Sequence, residues 1–297
     1  MSNLHRPVRE FPPWLKKPWP ARFDPKTGNL LDGLQLNTVC RSAECPNLGE
    51  CFARGTATFL ILGTRCTRNC GFCAVVTGRG EPIENLQSEP ERIAQATKQL
   101  GLKHVVITSV TRDDLPDEGA GHFARTIRAV RELCGPEVVI EVLVPDFHAR
   151  EECIGAVLDA RPQVFNHNLE TVERLQPTVR PQADYRRSLN VLGIARRLQP
   201  ELVVKSGLMV GLGEKADEVR AAIADLREAG CGILTVGQYL QPSKSQLPVV
   251  EYVPPDVFKD YANYALSLDF ASAACGPFVR SSYHAEQVFK NASASQP

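Results

Sequence analysis

The central part of the chain alternates between short apolar runs and amphipathic segments, and this alternation restricts the possible folds most strongly. The apolar runs are rich in β-branched residues and have no polar face, which is typical of strands buried on both sides in a parallel sheet. Each run is followed by a segment with helical periodicity, as parallel strands joined by crossover helices require. The predicted strands are residues 57–63, 104–110, 138–145, 163–170, 202–211 and 231–240. The predicted helices are residues 89–101, 122–133, 148–160, 183–198, 215–230 and 257–268.

This pattern predicts an α/β fold, a partial (β/α)6 TIM-like barrel with an N-terminal cysteine-bearing extension and a C-terminal helical segment. A doubly wound open sheet is the alternative, because the order of the strands in space cannot be read from a single sequence. We expect an extension over residues 1–56, a barrel core over 57–270 and a closing segment over 271–297. Residues 1–35 show no period and predict an extended arm, and the last seven residues predict a disordered tail.

Composition narrows the class of protein. Apolar residues make up 43% and charged residues 23% of the 297 residues, so a well-buried core is expected. The 34 basic and 34 acidic side chains balance to zero net charge, which argues against a general nucleic-acid binder. No apolar run approaches the ~18 residues of a membrane-spanning helix, and the N-terminus lacks the apolar core of a signal peptide. We therefore expect a cytoplasmic protein with neither nucleic acid nor a membrane as partner.

Three cysteines lie directly after the first predicted strand, in the loop where a β/α barrel carries its chemistry. They are Cys66, Cys70 and Cys73, in the spacing CxxxCxxC. The spacing differs from the paired hooks of zinc sites and from the thioredoxin pair, and compact soft thiolates suit an iron–sulfur cluster. Three thiolates leave one iron of a cubane without a protein ligand. Structural cysteines, or a zinc site completed from elsewhere, are the alternatives.

A second trio precedes the first strand, and a polar tetrad lies near the C-terminus. Cys40, Cys45 and Cys51 again supply three thiolates with no fourth cysteine nearby. Beside the first trio, this spacing favours a second cluster over incidental or zinc-binding cysteines. The tetrad is RSSY, residues 280–283, and its serines could equally cap the last helix.

The first trio, with an aromatic Phe72 before the last cysteine, resembles the signature of radical S-adenosylmethionine enzymes. The resemblance implies that S-adenosylmethionine chelates the open iron through its amino and carboxylate groups. It also implies that reduction cleaves the cofactor to a 5′-deoxyadenosyl radical, which abstracts hydrogen from an unactivated carbon. The protein then holds and shields this chemistry.

The whole chain is similar to the lipoyl synthase family. The resemblance rests on both cysteine trios, on RSSY and on PPWLKKP, TSVTRDDLPDEGAGHF, FNHNLETV, KSGLMVGLGE and GPFVRSSYHA. It implies a sulfurtransferase of lipoate biosynthesis that inserts two sulfur atoms at C6 and C8 of a protein-bound octanoyl-lysine.

The same resemblance implies the cofactors and their ligands: two 4Fe–4S clusters and S-adenosylmethionine. The second cluster would be held by the upstream trio and a serine of RSSY, and it would give up two sulfurs to the substrate. The family pattern favours Ser282, although spacing alone does not separate it from Ser281. The residues with implied catalytic roles are Cys66, Cys70, Cys73 and Ser282.

Further cofactor contacts are expected at strand ends and in the following loops. A carboxylate suits the ammonium and sulfonium region of S-adenosylmethionine, and Arg or Lys suits its carboxylate. The usual GGE-like stretch of the superfamily is replaced here by TSVTRDDL, as in lipoyl synthases. The candidates, besides Phe72 of the cysteine motif, are Ser109, Asn168, Glu170, Arg180 and Lys205.

The implied partners are octanoylated lipoyl-carrier domains, from the E2 of a 2-oxoacid dehydrogenase or from the glycine-cleavage H protein. An electron donor such as ferredoxin or flavodoxin is also implied. A basic surface for an acidic carrier, or else a solvated helix face, is predicted at Arg174, Arg180, Arg186 and Arg187. The rival functions are another sulfur-inserting radical enzyme, such as biotin synthase or a methylthiotransferase, and a non-catalytic iron–sulfur carrier.

Several other polar residues are assigned no chemistry. His167 is predicted to be a hydrogen-bonded packing residue, and adjacent Asp113 and Asp114 are predicted to be solvated. The glycine-containing GLMVGLGE lacks the lysine–serine ending of a phosphate-binding loop. The cysteines predicted to be buried apolar residues are Cys134, Cys153 and Cys231.

Overall fold

The computed structural model describes residues 11–16 and 25–294. Most of the predicted arm and the end of the predicted tail lie outside these ranges. Within the described part of the arm, residues 26–33 form a helix rather than an extended segment. No helix in residues 11–16 and 25–294 is both long and apolar enough to cross a bilayer.

Seven parallel strands form one sheet, and they follow one another in chain order. A doubly wound sheet would reverse its order at a switch point, so the consecutive order supports the barrel-like prediction. The described strands show no pairing between the first and the last, which leaves the barrel open along one side. The strands are β1 (Thr58–Ile61), β2 (His104–Ser109), β3 (Val139–Leu143), β4 (Val164–Asn166), β5 (Val203–Val210), β6 (Ile233–Gln238) and β7 (Ser272–Gly276).

The six predicted strands are β1 to β6, and β7 was not predicted. Its sequence, SAACG, has no β-branched residue, so the apolar pattern that revealed the others is absent. The C-terminal segment predicted to be helical therefore begins with a strand of the sheet, paired with β6.

Helices cover the outer face of the sheet and bury a continuous apolar core. Glycines with positive φ follow two of these helices, Gly101 after one and Gly135 after the next, at a backbone conformation that residues with a side chain rarely adopt. The helices are α1 (Lys26–Gly33), α2 (Val39–Ser42), α3 (Leu48–Ala53), α4 (Glu89–Gln99), α5 (Ala120–Cys134), α6 (Glu151–Leu158), α7 (Gln176–Val179), α8 (Tyr185–Leu198), α9 (Ala216–Glu228), α10 (Pro255–Ser267) and α11 (Ala285–Ala294).

The last helix closes the N-terminal end of the barrel. Val288 and Ala292 of α11 pack with Ile233 at the start of β6. The ring of Phe289 meets His104, the first residue of β2, edge to face at 5.7 Å. The opposite end, where the strands finish, is left for the loops that carry candidate functional residues.

The N-terminal extension and the C-terminal segment meet across the open side. Leu60 of β1 donates its backbone N–H to Asn37 O at 2.9 Å, which joins the extension to the edge strand. Asn47 donates to the carbonyl of Phe278 at 2.7 Å. Tyr283 donates its hydroxyl to Glu50 at 2.9 Å. These contacts bring the upstream cysteines and RSSY, more than 200 residues apart in sequence, to the same place.

Candidate active site

The first cysteine trio lies on a closed loop beyond the end of β1. Two-residue strands, Arg65–Cys66 and Val76–Thr77, pair with each other and close its base. Inside the loop, Cys73 N–H donates to Cys70 O at 3.1 Å. The sequence-predicted position at the C-terminal mouth of the barrel is therefore what the structure shows.

The thiols of this trio influence one another. Burial raises the pKa of Cys73 to about 12, and nearby Cys70 and Cys66 add to the effect. Burial also raises the pKa of Cys70, which Arg180 opposes and Cys66 reinforces. Thiolates gathered in this way repel until a cation joins them, so the donor set fits a metal cluster. Backbone N–H groups already point at one sulfur, because Thr111 N lies 3.3 Å from Cys66 Sγ.

Arg68, within the loop, braces it against the barrel. Its buried guanidinium donates to Asp113 at 2.7 and 2.9 Å and to Asp146 at 2.8 and 2.9 Å. Burial alone would raise the pKa of Asp146, but the Arg68 contacts outweigh it and hold that pKa well below its usual range. Asp114 is bonded to Arg112 at 2.8 and 2.9 Å. The two aspartates predicted to be solvated are thus ion-paired, because the fold brings buried arginines to them.

Phe72 anchors the other side of the loop by apolar packing. Its ring joins a cluster that includes Val179 and Tyr239, near the ends of α7 and β6. The neighbouring Gly71 donates to Val179 O at 2.9 Å and accepts from Leu247 N at 2.8 Å. These contacts fix the loop, and the predicted contact between Phe72 and a cofactor stays a prediction.

Three predicted cofactor residues converge beside this loop, just past β4. Asn168 Nδ2 donates to Glu170 at 3.0 Å. The guanidinium of Arg180 donates to the backbone carbonyls of Asn168 and Leu169 at 3.2 and 3.3 Å. Glu170 adopts a left-handed φ of 68°, a strained conformation for a residue with a side chain, and β5 holds it through Gly207 O.

Arg180 and Glu170 interact electrostatically but make no direct ion pair within the described residues. Arg180 is 8% exposed, and within the described part of the chain no carboxylate lies within ion-pair distance of its guanidinium. Burial raises the pKa of Glu170, against the lowering effect of Arg180 and Asn168. Arg180 is thus a buried cation that makes no ion pair among the residues that the structure describes, and Glu170 is a carboxyl group near it. Together they can receive the carboxylate and the ammonium of an amino-acid ligand.

Ser109 and Lys205 differ in how well they fit the prediction. The Ser109 hydroxyl is buried at the end of β2 with no hydrogen-bond partner among the described residues, as a ligand-binding group can be before its ligand arrives. Lys205 lies away from the other predicted cofactor residues. Its ammonium lies 2.7 Å from Glu141, both are 1% exposed, and Glu141 also meets His104 at 3.0 Å near the bottom of the barrel. The geometry therefore contradicts a cofactor contact for Lys205.

The second trio opens on a cavity of about 410 Å³ at the open side of the barrel. Burial raises the pKa of Cys51 to about 12, and Cys40 and Cys45 add to the effect. Their mutual influence repeats the arrangement of the first trio and fits a second metal cluster on the same physical ground. The other lining residues that matter here are Thr58, Arg280 and Ser282.

The two serines of RSSY face different neighbours. The Ser282 hydroxyl accepts a hydrogen bond of 2.7 Å from Thr58 Oγ1 at the cavity wall. Ser281 donates instead to Asn168 Oδ1 at 2.9 Å, on the side of the first site. Neither hydroxyl caps α11, which begins at Ala285. Of the two serines, Ser282 is thus the one beside the second trio.

Arg280 lines the cavity of the second trio and interacts electrostatically with both groups. Burial lowers the pKa of its guanidinium, while Cys45 of the second trio and Glu170 of the first site act in the opposite direction. The charge of one side chain is thus linked to groups of both sites.

Other sequence predictions had mixed outcomes. His167 is a packing residue as expected: it is 1% exposed, contacts Val144 O at 2.9 Å and Ser188 Oγ at 3.1 Å, and burial lowers its pKa to about 4. Cys153 and Cys231 are buried, whereas Cys134 is only partly buried.

The four arginines named for a basic surface or a solvated helix face differ in burial and all but one are ion-paired. Arg174 pairs with Glu218, Arg186 with Glu173 and Arg187 with Asp146, while Arg180 is buried. Arg174 and Arg186 are exposed and Arg187 is partly exposed, so their ion pairs lie at or near the surface, and contact with an acidic carrier stays a prediction.

Sequence comparison gives a consistent assignment. Residues 60–226 match the profile of the Radical SAM superfamily. The lipoyl synthase of Caldanaerobacter subterraneus subsp. tengcongensis is 53% identical over 275 residues, which cover 93% of this chain and 95% of that protein. The lipoyl synthase of Chlorobium limicola is 53% identical over 285 residues, covering 96% and 97% respectively.

Solved structures share the fold at low sequence identity. A methylornithine synthase superposes with a TM-score of 0.52 at 15% identity, covering 84% of this chain and 74% of the other. Coproporphyrinogen III oxidase from Escherichia coli, a radical SAM enzyme, gives a TM-score of 0.54 at 14% identity, covering 70% and 51%. The likeness to these two is one of fold, whereas the similarity to the curated relatives extends over nearly whole chains.

Proposed function

The chain belongs to the lipoyl synthase family within the radical SAM superfamily, and on that premise we propose that it inserts two sulfur atoms into a protein-bound octanoyl group. The sulfurs enter at C6 and C8 and form the lipoyl cofactor. One observation carries the proposal: the fold holds two separate cysteine trios, one in the loop after β1 and one lining a cavity together with Ser282, and each is one ligand short of a cubane.

A 4Fe–4S cluster and S-adenosylmethionine belong to radical SAM chemistry, and together they supply the radical that abstracts hydrogen from an unactivated carbon. Cys66, Cys70 and Cys73 would hold the cluster, with one iron open to the cofactor. The salt bridges of Arg68 and the packing of Phe72 keep the loop in one shape, so the three thiolates need little reorganisation.

The residues past β4 would bind the amino-acid end of S-adenosylmethionine. Arg180 would bind its carboxylate, because this buried guanidinium has five fixed donors and no carboxylate partner of its own. Glu170 and Asn168 would orient the ammonium, and Ser109 would gain a partner for its orphaned hydroxyl. These groups are preassembled by β4 and β5, which limits the cost of binding.

The second cluster, held by Cys40, Cys45, Cys51 and Ser282, is the sulfur source and thus a substrate of the reaction. A serine oxygen is a harder and weaker partner for iron than a thiolate. A weak fourth ligand suits a cluster that must come apart. The cavity of about 410 Å³ beside it has room for an aliphatic chain that reaches in from the surface.

The octanoyl chain is carried on a lysine of a lipoyl domain, either from a 2-oxoacid dehydrogenase or from the H protein of glycine cleavage. A long, flexible acyl-lysine arm is what a buried site requires of a protein substrate. The electrons come from a small donor such as ferredoxin or flavodoxin.

The test is an anaerobic incubation of the reconstituted protein with dithionite, S-adenosylmethionine and an octanoyl-lysine peptide. Mass spectrometry should detect a monothiolated intermediate and then the dithiolated product. A Cys66→Ala variant should yield neither. Cleavage of S-adenosylmethionine without any thiolated peptide would favour another sulfur-inserting activity, and about four irons in total with no cleavage would favour an iron–sulfur carrier.

A further inference from the structure

The RSSY segment enters the interior of the barrel at a point where strand β6 has a glycine. Gly237 faces the interior, in register with Gly276 of β7. A Cβ on Gly237 would lie 2.1 Å from the carbonyl oxygen of Val279 and 3.1 Å from its carbonyl carbon. Both atoms are backbone, so no side-chain rotation relieves the clash, and the segment passes only because Gly237 lacks a side chain.

Two tight turns connect Val279 to Ser282, so the position of the Val279 backbone determines the position of the serine. Val279 N donates to Gly276 O at 3.0 Å, and Tyr283 N donates to Arg280 O at 3.0 Å. Ser282 lies inside the second of these turns. A displacement of Val279 therefore moves the whole turn and the serine hydroxyl with it.

Gly207 of β5 forms a second close approach, but a softer one. A Cβ there would lie 2.6 Å from Thr235 Oγ1, 3.0 Å from Asn168 Oδ1 and 3.2 Å from Ser281 Oγ. All three neighbours are side-chain atoms that can move. Gly237 is thus the position at which the backbone path of the segment is fixed.

Thr58 fixes the hydroxyl itself. It lies on β1, at the opposite edge of the open barrel from β7, and donates to Ser282 Oγ at 2.7 Å. Thr58 and Cys40 also line the same cavity. Thr58 therefore contacts the predicted serine ligand of the second cluster directly.

We propose that Gly237 and Thr58 are positioning residues for the serine ligand of the second cluster: Gly237 admits the backbone that carries Ser282, and Thr58 orients its hydroxyl. The proposal rests on the proposed function, since it takes the second trio and Ser282 as cluster ligands. It assigns a role to two residues that are not themselves metal ligands and that lie outside the cysteine and RSSY motifs.

Three glycine-to-alanine variants form a graded series. An added Cβ meets nothing within 4 Å at Gly232, ordinary contact at 3.5 Å from Val279 Cγ2 at Gly276, and the backbone clash at Gly237. After reconstitution, we expect Gly232→Ala and Gly276→Ala to retain about eight irons per chain, from two clusters of four. Gly237→Ala should retain about four and still cleave S-adenosylmethionine.

A readout on the cluster-free protein separates placement from metal chemistry. Arg280 is partly buried in the segment, so trypsin should cut after it slowly in the native chain. Gly237→Ala should release the segment and speed that cut at least tenfold, while Gly232→Ala should not. Equal cutting rates and a full iron content in Gly237→Ala would overturn the role of the glycine.

Thr58 is tested with Thr58→Val and Thr58→Ser, which keep the size or the hydroxyl respectively. We expect Thr58→Val to change the Mössbauer parameters of the serine-bound iron and to speed iron loss to a chelator several-fold, and Thr58→Ser to restore both. Unchanged spectra and rates in Thr58→Val would overturn its role. The Thr58 variants test the role of Thr58 even if Gly237→Ala fails to fold. A loss of folding in Gly237→Ala would itself contradict a purely positioning role for the glycine.

A Cys40→Ala variant distinguishes failure of this inference from failure of the proposed function. If Cys40→Ala lowers the iron content and Gly237→Ala does not, only the inference fails. If Cys40→Ala leaves the iron content unchanged, the second cluster itself is absent and both proposals fail.

Discussion

Replacing Lys205 with methionine separates a structural role from a cofactor role for the most deeply buried ammonium in the barrel. Lys205 and Glu141 are each 1% exposed and 2.7 Å apart. Burial alone would raise the pKa of Glu141, but Lys205 and the His104 contact outweigh it and hold that pKa at about 2. Lys205→Met therefore leaves a buried carboxyl group without its counter-ion.

The loss of folding stability in Lys205→Met can be estimated in two ways. Lowering the pKa of Glu141 from the ordinary 4.5 to about 2 corresponds to about 3 kcal/mol at about 1.4 kcal/mol per pKa unit. Removing one partner of a buried ion pair costs about 3–5 kcal/mol. At about 2 °C per kcal/mol for a chain of this size, Lys205→Met should lower the Tm of the holoprotein by about 6–10 °C.

The contribution of Glu141 to folding stability changes with pH in opposite directions in the native chain and in Lys205→Met. In the native chain Glu141 has a lowered pKa, so its contribution to stability is present above about pH 4.5 and is lost as the pH falls toward 2. In Lys205→Met, burial without the ammonium raises that pKa above its unfolded value. Stability is then fully present below about pH 4.5 and is lost as the pH rises through the new, higher pKa. The Tm deficit should therefore be larger at pH 8 than at pH 5.5.

The assay is differential scanning calorimetry of the anaerobic holoprotein at several pH values, with the affinity for S-adenosylmethionine measured in parallel. A Lys205→Met/Glu141→Leu double variant removes both charges and should recover most of the lost Tm. Affinity should change little in either variant. A large loss of affinity with an unchanged Tm would refute the counter-ion role and restore Lys205 as a cofactor contact.

Four further outcomes are expected. Ser282→Ala should lose sulfur insertion and about half of the iron, whereas Ser281→Ala should keep its iron; the reverse order would contradict the assignment. Arg180→Gln should weaken S-adenosylmethionine binding about 10- to 100-fold in equilibrium dialysis, since a hydrogen bond to a charged group contributes about 1.5–3 kcal/mol; an unchanged affinity would exclude it as the carboxylate site. Arg68→Met should shorten the lifetime of the first cluster against a chelator, because Asp146 loses its buried partner; equal lifetimes would dissociate the salt bridges from the loop. Cys231 should resist thiol labelling until unfolding, because it is fully buried; rapid labelling would contradict that burial.

Six strands and both cysteine sites could be predicted from the sequence because each depends on local signals. β-branched runs, such as the HVVITS of β2, and the spacing CxxxCxxC are visible without knowledge of the fold. The strand β7 was missed because its small residues, SAACG, form a strand only where β6 offers an edge to pair with. The helix α1 was missed because the predicted arm lacks an apolar period.

The polar interior could not be predicted, because charge pairing there is a tertiary property. Lys205 has the position of a candidate ligand in the sequence, but only the curvature of the sheet brings Glu141 of β3 to it. Arg68 likewise gains its role from aspartates 45 and 78 residues away. Spacing alone left the choice between Ser281 and Ser282 open. The geometry favours Ser282, because its neighbours are Thr58 and the second trio.

The presence of two clusters is tested by iron and sulfide content and Mössbauer spectroscopy of the reconstituted native chain beside a Cys40→Ala/Cys45→Ala/Cys51→Ala variant. We expect two 4Fe–4S clusters in the native chain and one in the variant, with S-adenosylmethionine cleavage retained and sulfur insertion lost. An unchanged iron content in the variant, or a native chain with a single cluster, would contradict the existence of two separate sites.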